Sequence, residues 1–176
     1  MMFAMDTIYP PEMWRDLYVM LGTSSAALIG LLFVASSLHL DEIVKEPTIR
    51  FRARYNTLHL LTLLIEAMAI LTPQPMPILG IELIVINLVG LRAPFTIVYK
   101  YHYKPRLIRS GGITVFRSIP YFLAYALGVT GGGALVVRSN WGLYPVTFSY
   151  VILLIAIVLN AWGVLLGVRQ METVGK

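Results

Sequence analysis

Five apolar stretches, Leu17 to Leu40, Tyr55 to Thr72, Ile78 to Tyr99, Ile119 to Val137 and Leu143 to Val168, take up most of the chain. Each is close to the ~20 residues a helix needs to cross a hydrocarbon core of ~30 Å. The expected fold is therefore all-α: a polytopic bundle of five transmembrane helices, forming a single integral membrane domain over residues 1–176. Composition points the same way. Hydrophobic residues make up 57% and charged residues 13%, against roughly a quarter charged in soluble domains, and the mean hydropathy is +0.74. Little length is left for a folded soluble domain, since the longest polar connector runs only from about Lys100 to Ser118. The absence of cysteine excludes a disulfide, a thiolate nucleophile and any Cys-based metal site.

Basic residues alternate sharply between the connectors. Lys45, Arg50, Arg52 and Arg54 fall in the first, Lys100, Lys104, Arg106, Arg109 and Arg117 in the third, and Arg169 and Lys176 in the tail. The opposite face carries Arg15 and Arg138 alone. Because Lys and Arg are retained on the cytoplasmic side, this bias puts the N-terminus outside and the C-terminus in the cytoplasm. The net charge of +5 is then a topology signal and an attraction to anionic headgroups at the basic inner loops, rather than a nucleic-acid site. Pro10 to Tyr18 reads as a short outer interfacial helix, with Trp14 and Tyr18 at headgroup level. Pro73-Gln-Pro-Met-Pro77 is too short and stiff for anything but a tight outer turn, so the second and third spans are expected to be antiparallel neighbours. Pro94 is expected to kink the third span.

Small residues recur at four-residue spacing as Gly22, Ala26 and Gly30 in the first span and as Ala124, Gly128 and Gly132 in the fourth, with Gly163 and Gly167 in the fifth. Rows of this kind let helix backbones approach closely, which in lipid is a main source of helix association. They serve packing inside the bundle, or contact with a second copy or a membrane protein partner.

Three charged residues lie within the spans: Glu66, Glu82 and Arg92. Each costs about 2.5–3.5 kcal/mol at a helix centre and so calls for a partner, water or a role. At ~1.5 Å per residue from the outer turn, Glu66 lies ~9 Å in and Glu82 ~8 Å in, so the hairpin is expected to bring the two carboxylates to one level. Arg92, ~22 Å in, is nearer in depth to His59 and Asn160. His59, Thr62 and Glu66 share a helix face because they are three and four residues apart. Two readings follow. In one, Glu66 and Glu82 form a proton- or cation-binding pair, and His59, Thr62, Arg92 and Asn160 extend a polar path from it. In the other, the acids stay protonated and bond to serines of the first span, while Arg92 snorkels to the inner headgroups.

No cofactor is expected. Haem needs two facing histidines at one depth, and only His39 with His59 comes near that. No zinc spacing occurs, and the glycine pairs lack the Lys and the preceding strand of a phosphate loop. With no nucleophile and base pair visible, the chain is not expected to be an enzyme.

The run from Leu21 to Ser37, LGTSSAALIGLLFVASS, with the preceding Trp14-Arg-Asp, resembles the first span of small uncharacterised bacterial multi-span membrane proteins, some of them labelled modulator of the FtsH protease. The resemblance covers about a tenth of the chain and implies a multi-pass protein of the bacterial cytoplasmic (inner) membrane, without a catalytic residue. The sequence thus leads to a non-enzymatic inner-membrane protein acting through helix contacts as an accessory or regulatory subunit. The alternative is an oligomeric ion or proton channel, or a small transporter, that uses Glu66, Glu82 and Arg92.

Overall fold

Proline placement sets where the helices begin. The computed structural model describes residues 11–45, 47–103 and 111–174. Helix α1 (Pro11–Leu38) and α3 (Pro47–Leu71) both open on a proline, which at the first helical position has no amide to leave unbonded. A short α2 (Leu40–Lys45) joins them, and α4 (Met76–Tyr103), α5 (Gly111–Val136), a single 3-10 turn (Asn140–Gly142) and α6 (Leu143–Val174) complete the chain.

The helices are longer than the apolar stretches alone. Trp14 and Tyr18, expected on a separate interfacial helix, are the first turns of α1 itself, because nothing between Pro11 and Leu38 interrupts helical hydrogen bonding. The first basic connector is largely helical, with Arg50, Arg52 and Arg54 in the opening turns of α3. Much of the expected polar stretch from Lys100 to Ser118 also belongs to α4 and α5. Pro94 and Pro120 lie within continuous helices. Pro10, Lys104, Arg106, Arg109 and Lys176 lie outside the described residues.

Two turns are built differently. After α3, the Thr72 amide and hydroxyl both donate to Met68 O, at 3.0 and 2.8 Å. The Gln74 side chain then donates to Ala69 O at 2.9 Å and to Glu82 Oε2 on α4 at 2.7 Å. Carbonyls that α3 would leave open are thus closed, and one amide clasps both helices of the hairpin. After α5 the backbone makes the turn alone: Ser139 N–H reaches Ala134 O and Arg138 N–H reaches Leu135 O, both at 2.9 Å. That is a Schellman cap with Arg138 in the left-handed position at φ 60°.

Around α3 pack α1, α4 and α6, while α5 packs against α4 and α6. Polarity is distributed inside out. Phe33 is 74% and Leu38 76% exposed, whereas Glu66 and His59 are each 2% exposed. Soluble proteins rarely expose apolar surface on this scale; here the outer surface suits lipid. Among the described residues, four helices have segments long and apolar enough to cross a membrane: Trp14–Leu38, Met76–Thr96, Ser118–Val136 and Leu143–Trp162. These features make the chain a helical membrane protein. The less apolar α3 carries Asn56, His59 and Glu66 on its buried face, but Leu58, Leu61, Ile65, Met68 and Leu71 on its exposed one.

Glycine makes the tightest contacts. A Cβ on Gly80 of α4 would lie 2.6 Å from Gly132 O of α5, and one on Gly132 would lie 2.8 Å from Gly80 O. The two backbones touch there, as the small-residue row on α5 suggests, and Ala124 of the same row is fully buried. A Cβ on Gly22 would meet Ala67 of α3 at 3.0 Å. The rest of the α1 row departs from expectation as a packing face within the bundle. Ala26 is exposed, and Gly30 has nothing within 4 Å of where its Cβ would be. Steps of four drift around a helix, and only Gly22 remains turned toward α3. Gly163 and Gly167 belong to α6, but their surroundings lie outside the described residues.

Candidate polar site within the bundle

Residues 56, 59, 63 and 66 of α3 are separated by steps of three, four and three, so they form one helix face. That face is buried and carries Asn56, His59, Leu63 and Glu66. From Asn56 to Glu66 it runs ~15 Å. Each of its three polar residues takes a partner from a different helix.

Glu66 accepts a hydrogen bond at 2.7 Å on Oε1 from Asn87 Nδ2 of α4. The same amide nitrogen donates to Leu83 O at 2.8 Å, one turn back in its own helix. Asn87 fits because Gly128 of α5 faces it: a Cβ at 128 would collide with the amide head. His59 Nδ1 lies 2.6 Å from the Tyr125 hydroxyl of α5, and its ring stacks on Tyr121 at 4.6 Å between centroids. The Tyr125 ring occupies the space that a side chain at Gly90 of α4 would need. Asn160 Nδ2 of α6 donates to Asn56 Oδ1 at 2.7 Å. On the far side of the core, Ser25 bonds to the Tyr150 hydroxyl at 2.8 Å and Tyr18 to Thr147 at 2.9 Å, both from α1 to α6.

Among the described residues, two buried side-chain atoms have no hydrogen-bond partner: Asn87 Oδ1, an acceptor beside Glu66, and Asn56 Nδ2, a donor at the other end of the face. An unsatisfied buried polar atom costs ~1–3 kcal/mol. The face therefore has open hydrogen-bonding capacity at both ends and a carboxylate at one.

The sequence-derived residues separate into those brought together and those kept apart. Glu66, His59 and Asn160 do lie along one buried face or against it. Glu82 does not join Glu66. Its carboxylate is exposed and held by Gln74, because the buried row of α4 runs through Leu79, Leu83 and Asn87 and position 82 lies ~100° off it. Thr62 is half-buried; its hydroxyl donates to Leu58 O at 2.9 Å in its own helix and also meets the Tyr125 hydroxyl that bonds His59, so it joins the cluster through that tyrosine. Arg92 is exposed and not part of the cluster. The serines of α1 do not bond Glu66: Ser25 is taken by Tyr150, and Ser24 by Met20 O at 2.8 Å.

Counting only charges within the spans overlooks Asn56, Asn87 and the tyrosines at 121, 125 and 150. A signal was present: Asn87 is an amide in mid-span, and Tyr121 and Tyr125 are one turn apart and so share a helix face. Among the described residues, no group of three His, Cys, Asp or Glu side chains is placed to hold a metal ion. Comparisons with protein-family models, characterised proteins and solved structures find no match to this chain.

Proposed function

We propose that this is a non-enzymatic, multi-pass protein of the bacterial inner membrane that acts through helix contacts as an accessory or regulatory subunit, in the manner the resemblance to modulators of a membrane protease implies. The observation carrying this reading is the split among the small residues. Gly22, Gly80, Gly128 and Gly132 are used up inside the bundle, while Ala26 and Gly30 face outward on α1, the least covered of the four apolar helices. A face of that kind suits close approach by a helix from a second copy or another membrane protein.

The topology that goes with it has five spans, an outer N-terminus and a cytoplasmic C-terminus. The leucine-rich exposed stripe of α3 supports the fifth span. Trp14 packs edge-on against Tyr144 at 5.0 Å and Trp141 against the same ring at 5.4 Å. Arg15 and Arg138 thus share the end that carries this aromatic belt, opposite the basic opening turns of α3. The chain has no native cysteine, so a single cysteine at position 26 can be crosslinked in native membranes. Crosslinks that form there, fail at position 68 on α3 and vanish with Gly30→Leu support this reading; equal crosslinking at 26 and 68 refutes it.

A second reading rests on a different observation: Glu66 is held by an amide rather than by a cation, beside the unsatisfied Asn87 Oδ1. Here Glu66, Asn87 and His59 would bind and pass a proton or small cation. Proteoliposome flux distinguishes the two. Flux that disappears with Glu66→Gln supports conduction, whereas no flux from either protein leaves the accessory role.

A further inference from the structure

Among the described residues, hydrogen bonds and ring contacts tie α1 to α6 at one end. Tyr18, Ser25 and Trp14 reach across to Thr147, Tyr150 and Tyr144, but the backbones stay apart. Past Ser25, α6 is drawn away from α1: Asn160 is tied to Asn56 of α3, and Ala156 O accepts from the Tyr121 hydroxyl of α5 at 3.2 Å. A half-enclosed groove of about 360 Å³ opens where the two helices part. Leu28, Leu32 and Ala35 form one wall, Ile157 and Ala161 the other, and Leu60 of α3 lines it from between them. Its polar members are Ser36, in the last turn of α1, and His39, which follows that helix; neither side chain has a hydrogen-bond partner among the described residues.

Size and shape narrow the occupant. From Leu28 to His39 the groove runs ~16 Å, about half of a ~30 Å hydrocarbon core and so the depth of one leaflet. The polar pair sits at the helix end, where the apolar core gives way to the headgroup region. A slot one leaflet deep, greasy along its length and carrying two free donors at its mouth, matches an amphiphile with a single long tail.

We propose that this groove holds one acyl chain of a membrane glycerolipid, with the ester oxygens of that lipid accepting hydrogen bonds from Ser36 and His39. The proposal needs only that α1 and α6 cross the membrane, and so stands apart from the accessory and conduction readings above. It predicts a lipid that stays with the protein, distinct from the exchanging lipid around the bundle.

Trp162 lines the groove and provides the readout. The full chain carrying Trp14→Phe and Trp141→Phe, leaving Trp162 as its single tryptophan, is reconstituted in phosphatidylcholine vesicles containing increasing amounts of chain-brominated phosphatidylcholine. Occupancy predicts a saturable quenching component at several-fold lower mole fraction than random lipid mixing gives. Ala35→Phe, which blocks the slot, should return the curve to the random-mixing form while the helical circular dichroism is unchanged. Ser36→Ala with His39→Ala should weaken the saturable component for the brominated lipid but not for a brominated alkane, which has no ester. A curve that follows random mixing in the unblocked protein overturns the proposal. So does a saturable component that Ala35→Phe leaves intact, or one lost because the protein dimerises through this face, as shown by native mass spectrometry.

Discussion

The seam between α4 and α5 and the junction between α1 and α6 represent opposite ways of joining two helices. At the first, Gly80 and Gly132 bring backbone against backbone, and Asn87 sits where Gly128 leaves room. At the second, side chains from Tyr18, Ser25 and Trp14 span a gap, and further along the helices separate around a groove. Close packing gains dispersion over many atoms and tolerates no added volume. Bridging by a few hydrogen bonds holds an end in place and leaves the rest free to admit something else. The difference marks the α4–α5 side as the tightly packed frame and the α1–α6 side as the looser junction.

The strongest test of that contrast adds volume to the frame. Gly80→Leu or Gly132→Leu should destabilise the protein by at least ~3 kcal/mol, since the new side chain meets backbone that cannot move aside. Thermal unfolding followed by circular dichroism in detergent should then show little folded material. Next in size is Glu66→Ala, which leaves one N–H of the Asn87 amide unbonded and should cost ~1–3 kcal/mol; Glu66→Gln keeps an acceptor there and should lose less. The same melts measure both, and equal losses would mean the bond to Asn87 is not what matters. Tyr150→Phe removes one bridge of the open junction. It should cost only ~0.6 kcal/mol, the average for a hydrogen bond between membrane helices, while faster hydrogen exchange at the N-terminal half of α1 reports the loosening. Smallest of all, Gly30→Leu should leave the melting of the isolated chain within ~0.5 kcal/mol of the parent. A large loss would show that the outer face of α1 is part of the fold after all.

How legible these regions were follows from what each residue type signals. Proline marked the start of α1 and the α3–α4 turn, because its geometric demands are local, but the start of α3 at Pro47 was hidden by the polar residues that follow it. The α5 glycines were legible too, but Gly80 and Gly90, which face α5 from α4, were not, as neither belongs to a row of small residues. Four-residue spacing shows that Gly22, Ala26 and Gly30 lie near one another on a helix, yet it cannot say toward which neighbour they turn. Glu66 stood out because charge in lipid is costly, whereas its partner Asn87 is neutral and passed unmarked. Glu82 was matched to Glu66 by depth alone. Depth comes from counting along the chain, but rotation about the helix axis comes from the neighbours, and that rotation placed Glu82 beside Gln74 instead.

The Gln74 clasp bears on how such a chain is made. A helix carrying Asn56, His59 and Glu66 is a poor candidate to leave the translocation machinery for lipid by itself, since an acidic side chain within the membrane costs up to about 2.5–3.5 kcal/mol on the insertion scale. On the five-span arrangement, α3 emerges tethered to α4 through a four-residue turn whose one side-chain amide grips both helices, and α4 brings Asn87 to Glu66. On that arrangement the pair would partition into the bilayer as one hairpin with its acid already bonded, which would make two helices rather than one the unit of insertion.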